Sequence, residues 1–114
     1  MKTDLISQLR ARGYDVHLRH EYKILWDPNA SGREWRTRHE IEIRGAGGYE
    51  VWYIRSPDPM RTVATVRSEG GAEATAIATV SPKDQFCRKR GRQIAIGRAL
   101  KQLGTSFKRL EIRP

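Results

Sequence analysis

Hydrophobic and polar residues alternate along several stretches of the chain, a spacing typical of half-buried β-strands. The alternating segments are residues 14–26, 34–44, 49–55, 61–67 and 72–80. Clusters of glycine, proline, asparagine and serine separate these segments and predict turns. Because short turns join consecutive strands of this kind as antiparallel neighbours, the pattern predicts a meander of about five strands.

A short helix is predicted near the N-terminus, over residues 3–12. Thr3 is suited to cap this helix, and Gly13 follows its last residue, where a glycine commonly ends a helix. A helix of this length is marginal in isolation, so it must pack against another element. Towards the other end of the chain, residues 106–112 predict either a last short strand or an ordered tail.

A longer helix is predicted over residues 81–103. Ser81 is suited to the N-cap, Pro82 to the first helical position, and Gly104 to the position just beyond the helix. The first half of the helix carries many basic residues and the second half is apolar. We therefore expect the first half to be exposed and positively charged and the second half to be buried.

The packing of this helix is predicted from small residues that recur along it: Gly91, Ala95, Gly97 and Ala99. Alanines also alternate along residues 72–80, so that strand and helix can approach closely. The predicted fold class is therefore α+β: an antiparallel sheet of about five strands with a short N-terminal helix and a long C-terminal helix packed on one face. No linker or repeat divides the chain, which predicts a single domain of residues 1–114.

The net charge indicates the kind of partner. The chain has 22 Lys and Arg against 13 Asp and Glu, which gives a formal charge of +9 and a pI of about 10.3. An excess of this size favours an anionic partner, most often nucleic acid. The alternatives are that the charge serves solubility or attracts an acidic protein.

The basic run at residues 88–92 is the most specific feature, with four cations in five positions. Successive helical residues turn by about 100°, so Arg88 and Arg92 share a face while Lys89 and Arg90 point elsewhere. These cations predict contacts to phosphate, and a solvated face with ion pairs is the alternative. The predicted nucleic-acid-binding residues are Arg88, Lys89, Arg90, Arg92, Lys83, Arg36 and Arg38.

Aromatic residues beside arginines form a second candidate surface. Trp35 lies next to Arg36, and Tyr53 lies close to Arg55. A sheet face of this kind can hold single-stranded nucleic acid through base stacking and phosphate contacts, whereas core packing is the alternative. If Arg98, in the apolar half of the long helix, is buried, it needs an acidic or carbonyl partner or must emerge at an edge. A structural salt bridge is favoured over a ligand contact.

Other chemistry has little support in the sequence. The three histidines show no metal-ligand spacing, Cys87 is the single cysteine, and Glu40 and Glu42 are the only acid pair on one strand face. We therefore expect no metal, no cofactor and no enzymatic activity. Without an apolar run long enough to span a bilayer, we also expect no membrane segment and a cytoplasmic location.

The C-terminal helix resembles that of small uncharacterised proteins of phages and mobile elements, whose pattern reads D-x-F-x-x-x-x-G-R-x-I-A-x-x-R-A-L. The matching residues here are Asp84, Phe86, Gly91, Arg92, Ile94, Ala95, Arg98, Ala99 and Leu100. The resemblance implies a mobile-element origin. Proteins of this kind are often nucleic-acid-binding accessory factors or inhibitors of host defence, such as anti-CRISPR proteins.

The predicted function is non-enzymatic binding of DNA or RNA by an accessory or regulatory protein of phage type. The alternative is a protein–protein inhibitor of a host defence complex, which acts on an acidic or nucleic-acid-binding host protein. Direct binding predicts that basic residues of helix and sheet merge into one stripe. Inhibition predicts an apolar or aromatic patch, which a homodimer could share, with the charges scattered around it.

Overall fold

The computed structural model describes residues 4–26, 34–38, 40, 54–80 and 87–114 of the chain. Its elements are α1 Leu5–Ala11, β1 Asp15–Trp26, β2 Trp35–Thr37, β3 Ile54–Arg55, β4 Arg61–Arg67, β5 Glu73–Thr79 and α2 Arg88–Gln102. The predicted α+β class, with an antiparallel sheet, a short N-terminal helix and a longer C-terminal helix, is confirmed. The predicted strand residues 49–53 lie outside the described residues.

The sheet is organised around β1 rather than as a meander. Its strands follow the order β2-β1-β4-β5, and β3 also pairs with β1. Glu21 of β1 lies opposite Arg61 of β4 on one edge and opposite Thr37 of β2 on the other. The predicted pairing of consecutive strands is therefore wrong for β3 and β4, which follow one another along the same edge of β1.

The length of β1 explains this arrangement, because its 12 residues can pair with two separate strands along one edge. The chain leaves that edge only briefly, between β3 and β4. There Ser56 donates its backbone N–H to the carbonyl of Lys23, and its Oγ accepts the Lys23 N–H at 3.0 Å. The same hydroxyl donates to the carbonyl of Asp58, which holds the intervening turn against the sheet.

The second strand is shorter than its alternation predicted. β2 ends at Thr37, and the backbone of Arg38 and Glu40 is helical, so the predicted strand over residues 34–44 is wrong there. The cause is a reciprocal cap: the Glu40 carboxylate accepts the Thr37 N–H at 3.2 Å, and the Thr37 hydroxyl accepts the Glu40 N–H at 3.3 Å. This Thr-x-x-Glu capping box is a signal for a helix start.

The core lies between the sheet and the helices. Buried alanines of β5, at positions 74, 76 and 78, share it with Ala95, Ile96, Ala99 and Leu100 of α2. Helix and sheet approach each other closely at Gly91. A Cβ atom there would lie 2.6 Å from the Thr62 Oγ1 on β4, so only glycine fits without a shift.

The C-terminal helix begins later than predicted. Its first residue is Arg88, and its N-cap residue is Cys87, whose backbone is extended (φ −130°, ψ 112°). Residues 81–86, including Lys83, lie outside the described residues. The first buried residue of the helix, Gly91, lies one turn after the helix start. This placement is consistent with a helix whose position is decided by packing rather than by end signals. Gly104 follows the helix with φ +79°, as predicted.

Candidate anion-binding site

The first turn of α2 concentrates positive charge. Because the helix begins at Arg88, three successive cations, Arg88, Lys89 and Arg90, occupy this turn, and no acidic residue accompanies them. All three, and Arg92 one turn later, are exposed. Cations at this end oppose the helix dipole at a cost of about 0.3–1 kcal/mol each, so their placement reduces the stability of the helix.

These side chains project towards two different neighbourhoods. Lys89 and Arg92 line a cavity beside α1. Arg88 and Arg92 lie close enough to His20 of β1 to lower its pKa, although burial of the imidazole is the larger cause. The His20 Nδ1 lies 2.9 Å from the Thr62 Oγ1, beneath the start of the helix. The cationic turn is thus seated directly on the sheet.

The cavity beside α1 has a volume of about 1090 Å³. It is lined by Asp4, Leu5, Ile6, Gln8, Ala11, Arg12, Lys89, Arg92, Gln93, Ile96, Arg113 and Pro114. Four cations from three parts of the chain therefore meet at one recess: Arg12 at the end of α1, Lys89 and Arg92 of α2, and Arg113 of the C-terminal segment. Among the described residues of this lining, Asp4 is the one acidic side chain.

Asp4 is engaged in local structure. Its carboxylate accepts the backbone N–H of Ser7 at 2.8 Å and caps α1. This hydrogen bond is the main reason that the pKa of Asp4 is lowered. The predicted cap, Thr3, is therefore wrong by one position, whereas Gly13 ends the helix with φ +83° as predicted.

The C-terminal segment is fastened to α1 and forms one wall of the cavity. Gln8 donates its side-chain amide to the carbonyl of Arg113 at 3.2 Å. The Arg12 guanidinium donates to the carbonyls of Gln8 and Glu111. The segment is an ordered tail rather than a strand, as one of the two predicted alternatives stated. Because the Arg12 partners are neutral carbonyls, its charge is not neutralised by them.

Sequence reasoning found two of the four cavity cations, Lys89 and Arg92. It missed Arg12 and Arg113, which are far apart in the chain and come together only through the contacts between α1 and the tail. No local motif marks either residue. The general excess of Lys and Arg was the only signal that could have included them.

The predicted site residues on the sheet are placed elsewhere. Arg36 is buried, with 7% of its surface exposed, and it lies opposite Tyr22 on β1. A buried guanidinium cannot reach a phosphate at the surface without rearrangement, so Arg36 does not belong to this site. Arg38 is exposed at the end of β2. Neither is among the described residues that line the cavity.

Two aromatic rings of the sheet already lie against arginine side chains of this chain. The Arg61 guanidinium lies 4.3 Å from the ring centre of Trp35, and that of Arg55 lies 4.6 Å from the ring centre of Tyr22. One face of each ring is therefore covered, which leaves less room for base stacking than the sequence indicated. The predicted partner of Arg55, Tyr53, lies outside the described residues.

Arg98 binds a backbone carbonyl, one of the partners that the sequence predicted, and not the favoured acid. It donates to the carbonyl of Ile77 at 2.7 Å, and Gln102 donates to that of Thr75 at 3.3 Å. Both carbonyls lie on β5, the edge strand of the sheet path. The two side chains satisfy acceptors that would otherwise be open to another strand, a common protection of sheet edges.

The described residues contain no group of three or more His, Cys, Asp or Glu side chains that could hold a metal ion. Within the same residues, none of the helices has the length and apolar character needed to cross a membrane. No family model, curated protein or solved structure matches the chain. The fold and the charges thus define a small α+β protein with a cationic recess.

Proposed function

We propose that this chain is a non-enzymatic nucleic-acid-binding protein, an accessory or regulatory factor of phage or mobile-element type. The observation that carries the proposal is the convergence of Arg12, Lys89, Arg92 and Arg113 on one recess. Basic residues that merge into one surface are what direct nucleic-acid binding requires. The merging elements are two helices and the C-terminal segment, rather than helix and sheet.

The charge of this surface is available for an external anion. Ion pairs among the described residues involve Arg19, Arg61 and Arg67, and none includes the four cavity cations. The Cys87 side chain makes no cap hydrogen bond to the N-terminus of α2. Phosphate would therefore offset both the cation–cation and the cation–dipole repulsion of this turn.

Inhibition of a host defence complex is the second candidate function. It is favoured by two adjacent exposed apolar residues at the end of β1, Leu25 and Trp26, which are 57% and 44% exposed. Such residues mark a protein contact where they belong to a contiguous exposed patch. If a protein partner or a second copy of the chain binds there, substitutions in the recess should leave that binding unchanged.

The test is fluorescence anisotropy with labelled DNA and RNA across a salt series. The site variant is Lys89→Gln with Arg92→Gln, and the control is Lys101→Gln with Lys108→Gln, which removes the same charge from exposed positions outside the recess. Two lost phosphate contacts should reduce the slope of log K against log salt by about 1.4–1.8 in the site variant alone. Absence of binding at low salt, or equal effects of the two variants, would refute the proposal.

A further inference from the structure

The recess differs from an ordinary phosphate-binding surface because part of its lining is apolar. Leu5 and Ile6 of α1, both half-buried, contribute to it together with the four cations. A volume of about 1090 Å³ lies just above the range of cavities that enclose small organic ligands, about 300–1,000 Å³. The site can therefore admit more than a phosphate oxygen.

The backbone of a duplex makes no use of such a recess. Duplex phosphates meet side chains at the surface, while the bases stay stacked and paired inside the helix. An unpaired nucleotide, in contrast, presents both faces of its base as well as its phosphate. The recess offers apolar side chains for the base and cationic side chains for the phosphate.

Resting on the proposed function, we infer that the recess receives an unpaired nucleotide and that the protein prefers single-stranded nucleic acid to duplex. Among the described residues, none that lines the recess is aromatic. The base is therefore held by the guanidinium planes of Arg12, Arg92 or Arg113, which stack on bases, and by contact with Ile6. Gln93, half-buried in the same lining, supplies hydrogen bonds to the edge of the base.

A higher affinity for single strands than for duplex would be diagnostic of base insertion, because simple charge attraction gives the opposite order of affinities. A duplex has the higher charge density and the steeper salt dependence, so a protein that uses only phosphate contacts binds duplex at least as well at low salt. Insertion of a base into the recess adds a contact that duplex cannot make. We expect single-stranded DNA to bind about tenfold more tightly than duplex of the same sequence, in line with the usual contribution of one stacked base.

The experiment compares a labelled single strand, the matching duplex, and that duplex with a single-stranded overhang. Two filling variants add bulk to the recess without changing its charge: Ala11→Leu and Ala11→Met, both at a position of α1 that lines it. Ala72→Leu, at an exposed alanine outside the recess, is the control. Circular dichroism and the urea midpoint establish that each variant is folded.

Each filling variant should weaken binding of the single strand and the overhang about tenfold and leave duplex binding unchanged. Duplex binding as tight as single-strand binding, or filling variants with wild-type affinity, would overturn this inference. If salt-dependent binding persists and still responds to Lys89→Gln with Arg92→Gln, the proposed function survives that result. If no nucleic acid binds at low salt, both fail.

Discussion

Substitution of Gly91 by alanine tests how the C-terminal helix is seated on the sheet. The added methyl would lie 2.6 Å from the Thr62 Oγ1 and 3.4 Å from the Thr62 Cβ. The first distance is below any ordinary contact, so either α2 moves away from β4 or the threonine side chain rotates. Rotation would break the hydrogen bond between Thr62 and the half-buried His20 imidazole, which spans 2.9 Å.

The expected cost follows from these contacts. Alanine stabilises a helix interior by about 1 kcal/mol relative to glycine. Overpacking of a well-packed contact costs about 1–3 kcal/mol, and loss of a buried hydrogen bond costs about 1 kcal/mol more. Gly91→Ala should therefore destabilise the protein by about 1–3 kcal/mol, although the same change in an exposed helix would stabilise it.

The assay is equilibrium unfolding in urea, in which a lower midpoint at constant slope reports a loss of stability. Gly97→Ala in the same helix is the matched control, because its methyl would meet only the movable ring of Phe107, at 3.2 Å. That variant should be neutral or stabilised by up to about 1 kcal/mol. Adding Thr62→Ala should reduce the cost of Gly91→Ala. If Gly91→Ala were as stable as Gly97→Ala, the tight approach of α2 to β4 would be refuted.

Three further predictions follow from buried or bridging side chains. Burial and two arginines of α2 lower the pKa of His20, so the unfolded chain binds its proton more readily, and the free energy of unfolding should fall as pH drops through the ordinary value of 6.5. His20→Asn should flatten this dependence in urea titrations, and an unchanged profile would contradict it. Arg61→Met should cost about 2–3 kcal/mol because it leaves the Glu21 carboxylate buried without its 2.7 Å partner. The exposed Arg67→Met control should cost less than about 1 kcal/mol, and equal losses would refute the distinction. Arg98→Ala should increase self-association in sedimentation velocity by exposing the edge of β5, and a wild-type profile would count against edge protection.

The local parts of the fold could be predicted from the sequence because local chemistry decides them. The alternation over residues 15–26 and 73–79 reports burial of one sheet face, and Gly13 and Gly104 mark helix ends through positive φ. The pairing of β1 with β4 could not be read in this way, because alternation indicates a strand but not its partner. The early end of β2 could have been predicted, since Thr37 and Glu40 have the spacing of a capping box.

The candidate site likewise has a local part that the sequence predicts and a long-range part that it does not. The basic run of α2 is visible in the sequence because its cations are neighbours in the chain. Arg12 and Arg113 join it only because Gln8 and Arg12 bind carbonyls of the C-terminal segment. Arg36 shows another limit of the sequence. The alternation of residues places Arg36 on a sheet face, but it does not reveal that the side chain at this position is buried.

The position of the cations, rather than their number, is what connects this fold to its proposed function. Cations in the last turn of α2 would stabilise the helix, whereas those at Arg88, Lys89 and Arg90 oppose its dipole. The fold tolerates this cost because the helix is held by buried residues, at Gly91 and from Ala95 to Leu100, rather than by the charges of its first turn. In the proposed function, an external anion would bind the exposed cations at the start of the helix and reduce this repulsion.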